Sequence, residues 1–134
     1  LDWGGGKYDK GTEWLKSQGV INLVYDPYNR SSEHNLDVIK QLQIKKADCA
    51  TLLNVLNVIP QEEERIDTIK KVLKHVRSDG YLLIAVYAGD GSGETVKTSD
   101  GWQNNQKPDF YKQEIENNLG YSVEKRQRYL ILSK

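Results

Sequence analysis

At 134 residues, 37% hydrophobic and 28% charged, the chain suits one soluble globular domain that buries its own core without a disulfide or metal staple. Its formal charge is zero, which counts against a free-standing nucleic-acid binder. The one cysteine, Cys49, excludes an internal disulfide and points to a reducing, cytoplasmic setting.

The longest apolar stretch, near Leu52 to Pro60, is too short to span a bilayer and is broken by two asparagines. No charged-then-apolar leader opens the chain. With no methionine present, Leu1 does not read as a translation start, and the chain is expected to begin inside its first strand.

Short apolar runs alternate with amphipathic stretches, the pattern of βα units around a parallel sheet. Leu1 to Trp3 read as a strand end, followed by a glycine turn and a helix with Thr12 as its cap and Gly19 as its stop. Val20 to Tyr25 is a β-rich run ended by Asp26-Pro27. Ser31 and Ser32 start a helix whose apolar positions are Leu36, Ile39 and Leu42. No strand is assigned between Leu42 and Asp48.

Cys49 to Val55 reads as a strand buried on both faces. Pro60 opens a helix with Glu62, Glu63 and Glu64 at its positive end, apolar positions from Ile66 to Val76, and Gly80 as its stop. Tyr81 to Tyr87 is the next buried strand. Gly89 to Lys107 is polar, glycine-rich and long enough to be functional or disordered. Pro108 opens a helix closed by Gly120, and Tyr121 to Glu124 with Tyr129 to Leu132 form an antiparallel pair.

Two features carry chemistry. Asp2-Trp3-Gly4-Gly5-Gly6 is a strand end followed by glycines that let backbone approach a ligand at the carboxyl edge of the sheet. Asp26 lies about 20 residues further on, at the end of the next strand, where a carboxylate can accept from the ribose hydroxyls of a nucleoside cofactor. Each also has a plainer reading, a mobile turn for the first and a turn opener for the second. A dinucleotide site needs a third glycine where Asp9 stands, and an acid there opposes a pyrophosphate. The cofactor that fits instead is a nucleoside without phosphate.

These segments resemble, in order, the motifs of class I S-adenosylmethionine-dependent methyltransferases. Leu1 to Gly6 is similar to the first motif, departing at Tyr8, and Tyr25-Asp26-Pro27-Tyr28 is similar to the acidic second. Asp48 to Pro60, with Asn54-Val55-Leu56-Asn57, resembles the fourth-strand motif; Ile66 to Val86 resembles the fifth-strand segment, and Gly120 to Lys134 the reversed last strand. Asn54 to Pro60 and Gly101-Trp102-Gln103 also resemble a group of bacterial and phage methyltransferases of unassigned substrate. The Asp26-Pro27-Tyr28-Asn29 run is not the amino-directed DNA methyltransferase signature, which follows the fourth strand and has a second proline.

The resemblance implies one domain over residues 1–134, truncated at its N-terminus. Its fold is a three-layer α/β Rossmann-like sandwich, mostly parallel with an antiparallel C-terminal hairpin. S-adenosylmethionine is the implied cofactor, held by Asp2, Gly4, Gly5, Gly6, Asp26, Pro27 and Asn54. Asn54 and Asn57 are the candidate polar groups at the methyl-transfer site, each also readable as a satisfied amide. Trp102 and Tyr111 are candidate acceptor platforms, or else packing residues. No metal or membrane is implied: His34 and His75 lack ligand-like partners, and Cys49 reads as core. The acceptor (nucleic acid, protein or small molecule) and the oligomeric state stay open. The alternatives are a non-catalytic binding or regulatory module of the same fold and, third, a nicotinamide-dependent oxidoreductase.

Overall fold

The computed structural model describes all 134 residues. A six-stranded sheet has the order β2-β1-β3-β4-β8-β7, with β1 (Asp2–Trp3), β2 (Val24–Tyr25), β3 (Ala47–Leu53) and β4 (Val76–Ala85) parallel. The C-terminal hairpin of β7 (Val123–Arg126) and β8 (Tyr129–Ser133) folds back so that β8 lies antiparallel against β4. The helices are α1 (Lys10–Ser17), α2 (Ser32–Ile44), α3 (Glu62–Lys74) and α4 (Pro108–Leu119).

Alternation along the strands sorts the core. Ala50, Leu52, Leu82, Ile84, Leu130 and Leu132 share one sheet face and are fully buried. They cluster with Ile66, Ile69 and Val72 of α3, Tyr111 and Ile115 of α4, and Val38 and Leu42 of α2. Three helices therefore cover one face. Right-handed crossover sends α1 to the other, and α1 buries none of its residues. On that face Cys49, Thr51, Leu83 and Ile131 are half-buried, and Leu53 and Tyr81 are exposed.

Only Lys45 and Lys46 separate α2 from β3, so no strand fits between them. Several local expectations shift. Helix α1 begins at Lys10 with Asp9 at its cap, so Thr12 lies inside it. Ser31 does cap α2, accepting from the His34 amide, but the buried positions are Asn35, Val38 and Leu42, with Leu36 turned to solvent. Pro60 precedes α3, which starts at Glu62.

Gly80 does not end α3. The helix stops at Lys74, and β4 has already begun at Val76. The register of β4 against β3 jumps between the Ala47–Val76 and Cys49–Tyr81 partners. At this irregularity a Cβ on Gly80 would lie 2.5 Å from the Asp48 carbonyl oxygen, so its glycine serves close strand approach.

The polar segment after β4 is ordered. It forms a separate hairpin, β5 (Thr95–Thr98) and β6 (Gly101–Asn104), which packs against a 3₁₀ turn at Leu56–Val58. Helix α4 matches its expected bounds, closed by Gly120 in the left-handed region. The pair Arg65 and Glu114 ties α3 to α4: Arg65 Nε donates to Glu114 Oε2 at 2.9 Å, and Arg65 also donates to the Ile59 and Pro60 carbonyls. No helix is long and apolar enough to cross a membrane.

Candidate functional site

Strands β1, β2 and β3 end together, and the chain beyond each wraps a crevice of about 680 Å³. That size lies within the usual range for small-molecule and cofactor sites. Trp3 and Gly4 come from β1; Tyr25 to Asn29 from β2 and its turn; Asn54, Val55, Val58 and Ile59 from β3 and the 3₁₀ turn. Thr68 and Lys71 of α3 form one flank, and the tip of the β5–β6 hairpin, with Thr98, Asp100, Gly101 and Trp102, forms the roof. The crevice thus sits at the carboxyl ends of the strands, where the order reverses between β1 and β3.

The glycine turn is tightly built. Gly4 has φ of +80°, and a Cβ there would lie 2.6 Å from Val55 Cγ2. Its amide donates to the Tyr25 carbonyl at 2.7 Å, joining the ends of β1 and β2. A Cβ on Gly5 would lie 2.5 Å from Asp2 Oδ2, while Asp2 Oδ1 accepts from Thr51 Oγ1 at 2.8 Å. Asp2 therefore braces the turn from below. Asp2, Gly5 and Gly6 shape the crevice edge without lining it, whereas Gly4, Asp26, Pro27 and Asn54 line it directly.

Asp26 is buried, and both its oxygens are engaged. Oδ2 accepts from the Gly6 amide at 2.9 Å and Asn29 Nδ2 at 3.0 Å; Oδ1 accepts from the Tyr28 and Asn29 amides at 2.9 and 3.0 Å. Burial pushes the Asp26 carboxyl up, and the donors from Asn29, Tyr28 and Gly6 together outweigh it, so it is held below its ordinary value. Asn35 closes the arrangement from α2, accepting from the Asp26 amide and donating to the Asp26 carbonyl.

Arg30 was not marked by any motif. Its Nε donates to the Gly6 carbonyl at 2.7 Å and its guanidinium pairs with Asp9 at 2.8 Å. Asp9, which stands where a dinucleotide site wants glycine, is thus half of an ion pair that fastens the glycine turn to the β2 turn. Tyr8 is 73% exposed and does not line the crevice, so its departure from the motif leaves the crevice open.

On the crevice floor Trp3 stacks on Tyr25 with ring centroids 4.0 Å apart, and the Trp3 ring lies 5.8 Å from that of His75. Asn54 ends β3 in the left-handed region, at φ of +57°, with its amide donating to the Ala85 carbonyl at 2.8 Å. Asparagine enters this region more readily than other side-chain-bearing residues, so the chain turns sharply after β3 at little cost.

Two candidates are placed elsewhere. Asn57 is buried, and its Nδ2 donates to Gln103 Oε1 at 3.1 Å, so it pins the hairpin rather than facing a ligand. Tyr111 is fully buried in the α4 core, and burial pushes its phenol up to about 12. Neither touches the crevice. The Asn57 amide and the Tyr111 ring are both turned inward. Trp102 is 42% exposed and does form part of the roof.

The hairpin's root is what holds that roof. Asn104 Nδ2 donates to the Ile59 carbonyl at 2.7 Å, Thr95 Oγ1 bonds Asn104 Oδ1 at 2.8 Å, and Gln103 Nε2 donates to the Tyr87 carbonyl at 2.9 Å. No three His, Cys, Asp or Glu side chains converge anywhere in the chain to form a metal cluster.

No protein-family profile and no curated protein sequence matches the chain. Solved structures do. An O-methyltransferase family protein from Burkholderia thailandensis superposes with a TM-score of 0.61 at 17% identity, over 98% of this chain and 48% of that one. The glycopeptide N-methyltransferase MtfA superposes with a TM-score of 0.56 at 11% identity, over 98% of this chain and 80% of that one. This chain therefore spans about half the length of the first relative. At these identities the likeness speaks to architecture: the chain shares the mostly parallel, Rossmann-like α/β fold of these two structures.

Proposed function

We propose that the protein is an S-adenosylmethionine-dependent methyltransferase. The observation that carries this reading is the Gly4 cradle opening on the crevice at the strand-order reversal, with Asp26 beside it and Trp102 opposite. The volume and the absence of a Cβ at Gly4 suit the cofactor; the engaged Asp26 carboxylate suits it only if a donor yields.

When bound, S-adenosylmethionine supplies an electrophilic methyl on a positively charged sulfur. The chain's part is positioning and exclusion of water, which can account for most of the acceleration of an in-line displacement. Gly4 and Pro27 shape the wall, Asn54 offers a polar group at the end of β3, and the hairpin tip closes the roof. Trp102 offers an acceptor a stacking surface, and Asp100 is a carboxylate on the same tip. The acceptor is a nucleic acid, a protein or a small molecule, and we place the protein in the cytoplasm as a single cofactor-binding domain. Calorimetry with S-adenosylhomocysteine tests the reading: a saturable isotherm is expected, and no heat at millimolar ligand from folded protein would sink it.

The engaged state of Asp26 favours a second reading, a non-catalytic module that keeps the fold. Labelled methyl transfer to any acceptor class would eliminate it.

A further inference from the structure

The turn after β2 supplies, from within the chain, the donors that a ribose would offer. A carboxylate has about four lone-pair directions, and all those of Asp26 are taken: by the amides of Gly6, Tyr28 and Asn29, and by the Asn29 carboxamide. The three amides belong to backbone held in place, that of Gly6 by the Arg30 bond to its own carbonyl. The Asn29 side chain is different. It is exposed, lies on the crevice wall, and needs only a rotamer change to leave Oδ2.

We propose that Asn29 is an internal stand-in for a nucleoside hydroxyl. Its Nδ2 closes Asp26 Oδ2 in this conformation and swings out when a vicinal diol enters, so Asn29 sets how strongly the site depends on ribose hydroxyls. The inference rests on the nucleoside-cofactor reading above. It adds that Asn29, a positioning residue, competes with the ligand for one charge-assisted hydrogen bond.

The test compares wild-type protein with Asn29→Ala, using adenosine and 2′,3′-dideoxyadenosine as probes in calorimetry and carbon-detected NMR for the Asp26 carboxyl. Without ligand, the Asp26 titration midpoint is expected to rise in the variant, because a donor is lost. Adenosine is expected to bind the variant about tenfold more tightly, the size of one uncontested hydrogen bond to a charge. Dideoxyadenosine is expected to bind both proteins alike. Asn29→Ser, which keeps a turn-forming side chain but is shorter, is expected to show the same selectivity if the alanine variant loosens the turn.

An unmoved Asp26 midpoint overturns the proposal. So does wild-type binding of adenosine with no gain in either variant, or an equal gain for the dideoxy probe; these outcomes leave the cofactor reading standing. Failure of every protein to bind adenosine or S-adenosylhomocysteine removes the cofactor reading and the proposal together.

Discussion

Gly6 and Asp26 are joined by an amide-to-carboxylate hydrogen bond of 2.9 Å that closes twenty residues of chain. The carbonyl of the same residue, in the next peptide unit, accepts from Arg30 Nε, so Gly6 ties the glycine turn to the β2 turn at two successive peptide planes. The local predictions begin there.

Asp26→Asn exchanges an acceptor of four bonds for a group that points donors at donors. A loss of about 1–3 kcal/mol at neutral pH is expected, measured by urea denaturation. The sign with pH follows from the depressed carboxyl. A folded value below the unfolded value of about 3.9 contributes stability above that pH, and the contribution disappears as pH falls through the folded value. The gap between wild type and Asp26→Asn should therefore narrow in strong acid.

Two glycine substitutions should act in opposite directions. Gly4→Ala places a Cβ 2.6 Å from Val55 Cγ2 at φ of +80°, so it should destabilise by about 1–3 kcal/mol and weaken S-adenosylhomocysteine binding. Gly11 lies inside α1 with open space around its Cβ position. Gly11→Ala should stabilise by about 0.5–1 kcal/mol and leave binding unchanged, as read by thermal melts and calorimetry.

Glu114→Ala strands the buried Arg65 guanidinium between α3 and α4. A loss of about 3–5 kcal/mol is expected, because the remaining charge has no counter-ion. Arg65→Met combined with Glu114→Leu should cost much less than the sum of the single changes, measured by a double-mutant cycle.

Burial, with Lys46, Lys74 and Lys134 nearby, holds the His75 imidazole below its ordinary value. Such a group contributes stability above the unfolded value of about 6.5 and loses that contribution as pH falls through the lower folded value. His75→Gln should therefore flatten the decline in melting temperature between about pH 7 and pH 5.

Much of this molecule was legible from residue order. The apolar runs of β3 and the second half of β4 declared themselves by length, α4 by Pro108 and Gly120, and the C-terminal hairpin by its short connection. What escaped notice was polar. Val76 to Asp79 looked like a helix tail because Arg77, Ser78 and Asp79 are exposed strand residues with no alternation to report. The β5–β6 hairpin was hidden because Gln103 and Asn104 are fixed by carbonyls of Tyr87, Leu56 and Ile59, partners that no local pattern reveals. Asp26 is singled out by spacing, but the Asn29 carboxamide that bonds it and the Arg30 that bonds Gly6 are not, since both sit in a turn where polar residues are ordinary. Asn57 and Tyr111 lie away from the crevice for the converse reason: side chains able to serve chemistry are packed inward.

The β5–β6 hairpin is fastened at its root, by Gln103 and Asn104, to the Tyr87 and Ile59 carbonyls and the Asn57 side chain, while only its tip reaches the crevice. Thr98, Asp100 and Trp102 can therefore be exchanged without repacking the sheet or disturbing the glycine turn. Such a division lets natural variation, or a library built on those positions, retune what the roof accepts while the grip beneath it is inherited intact.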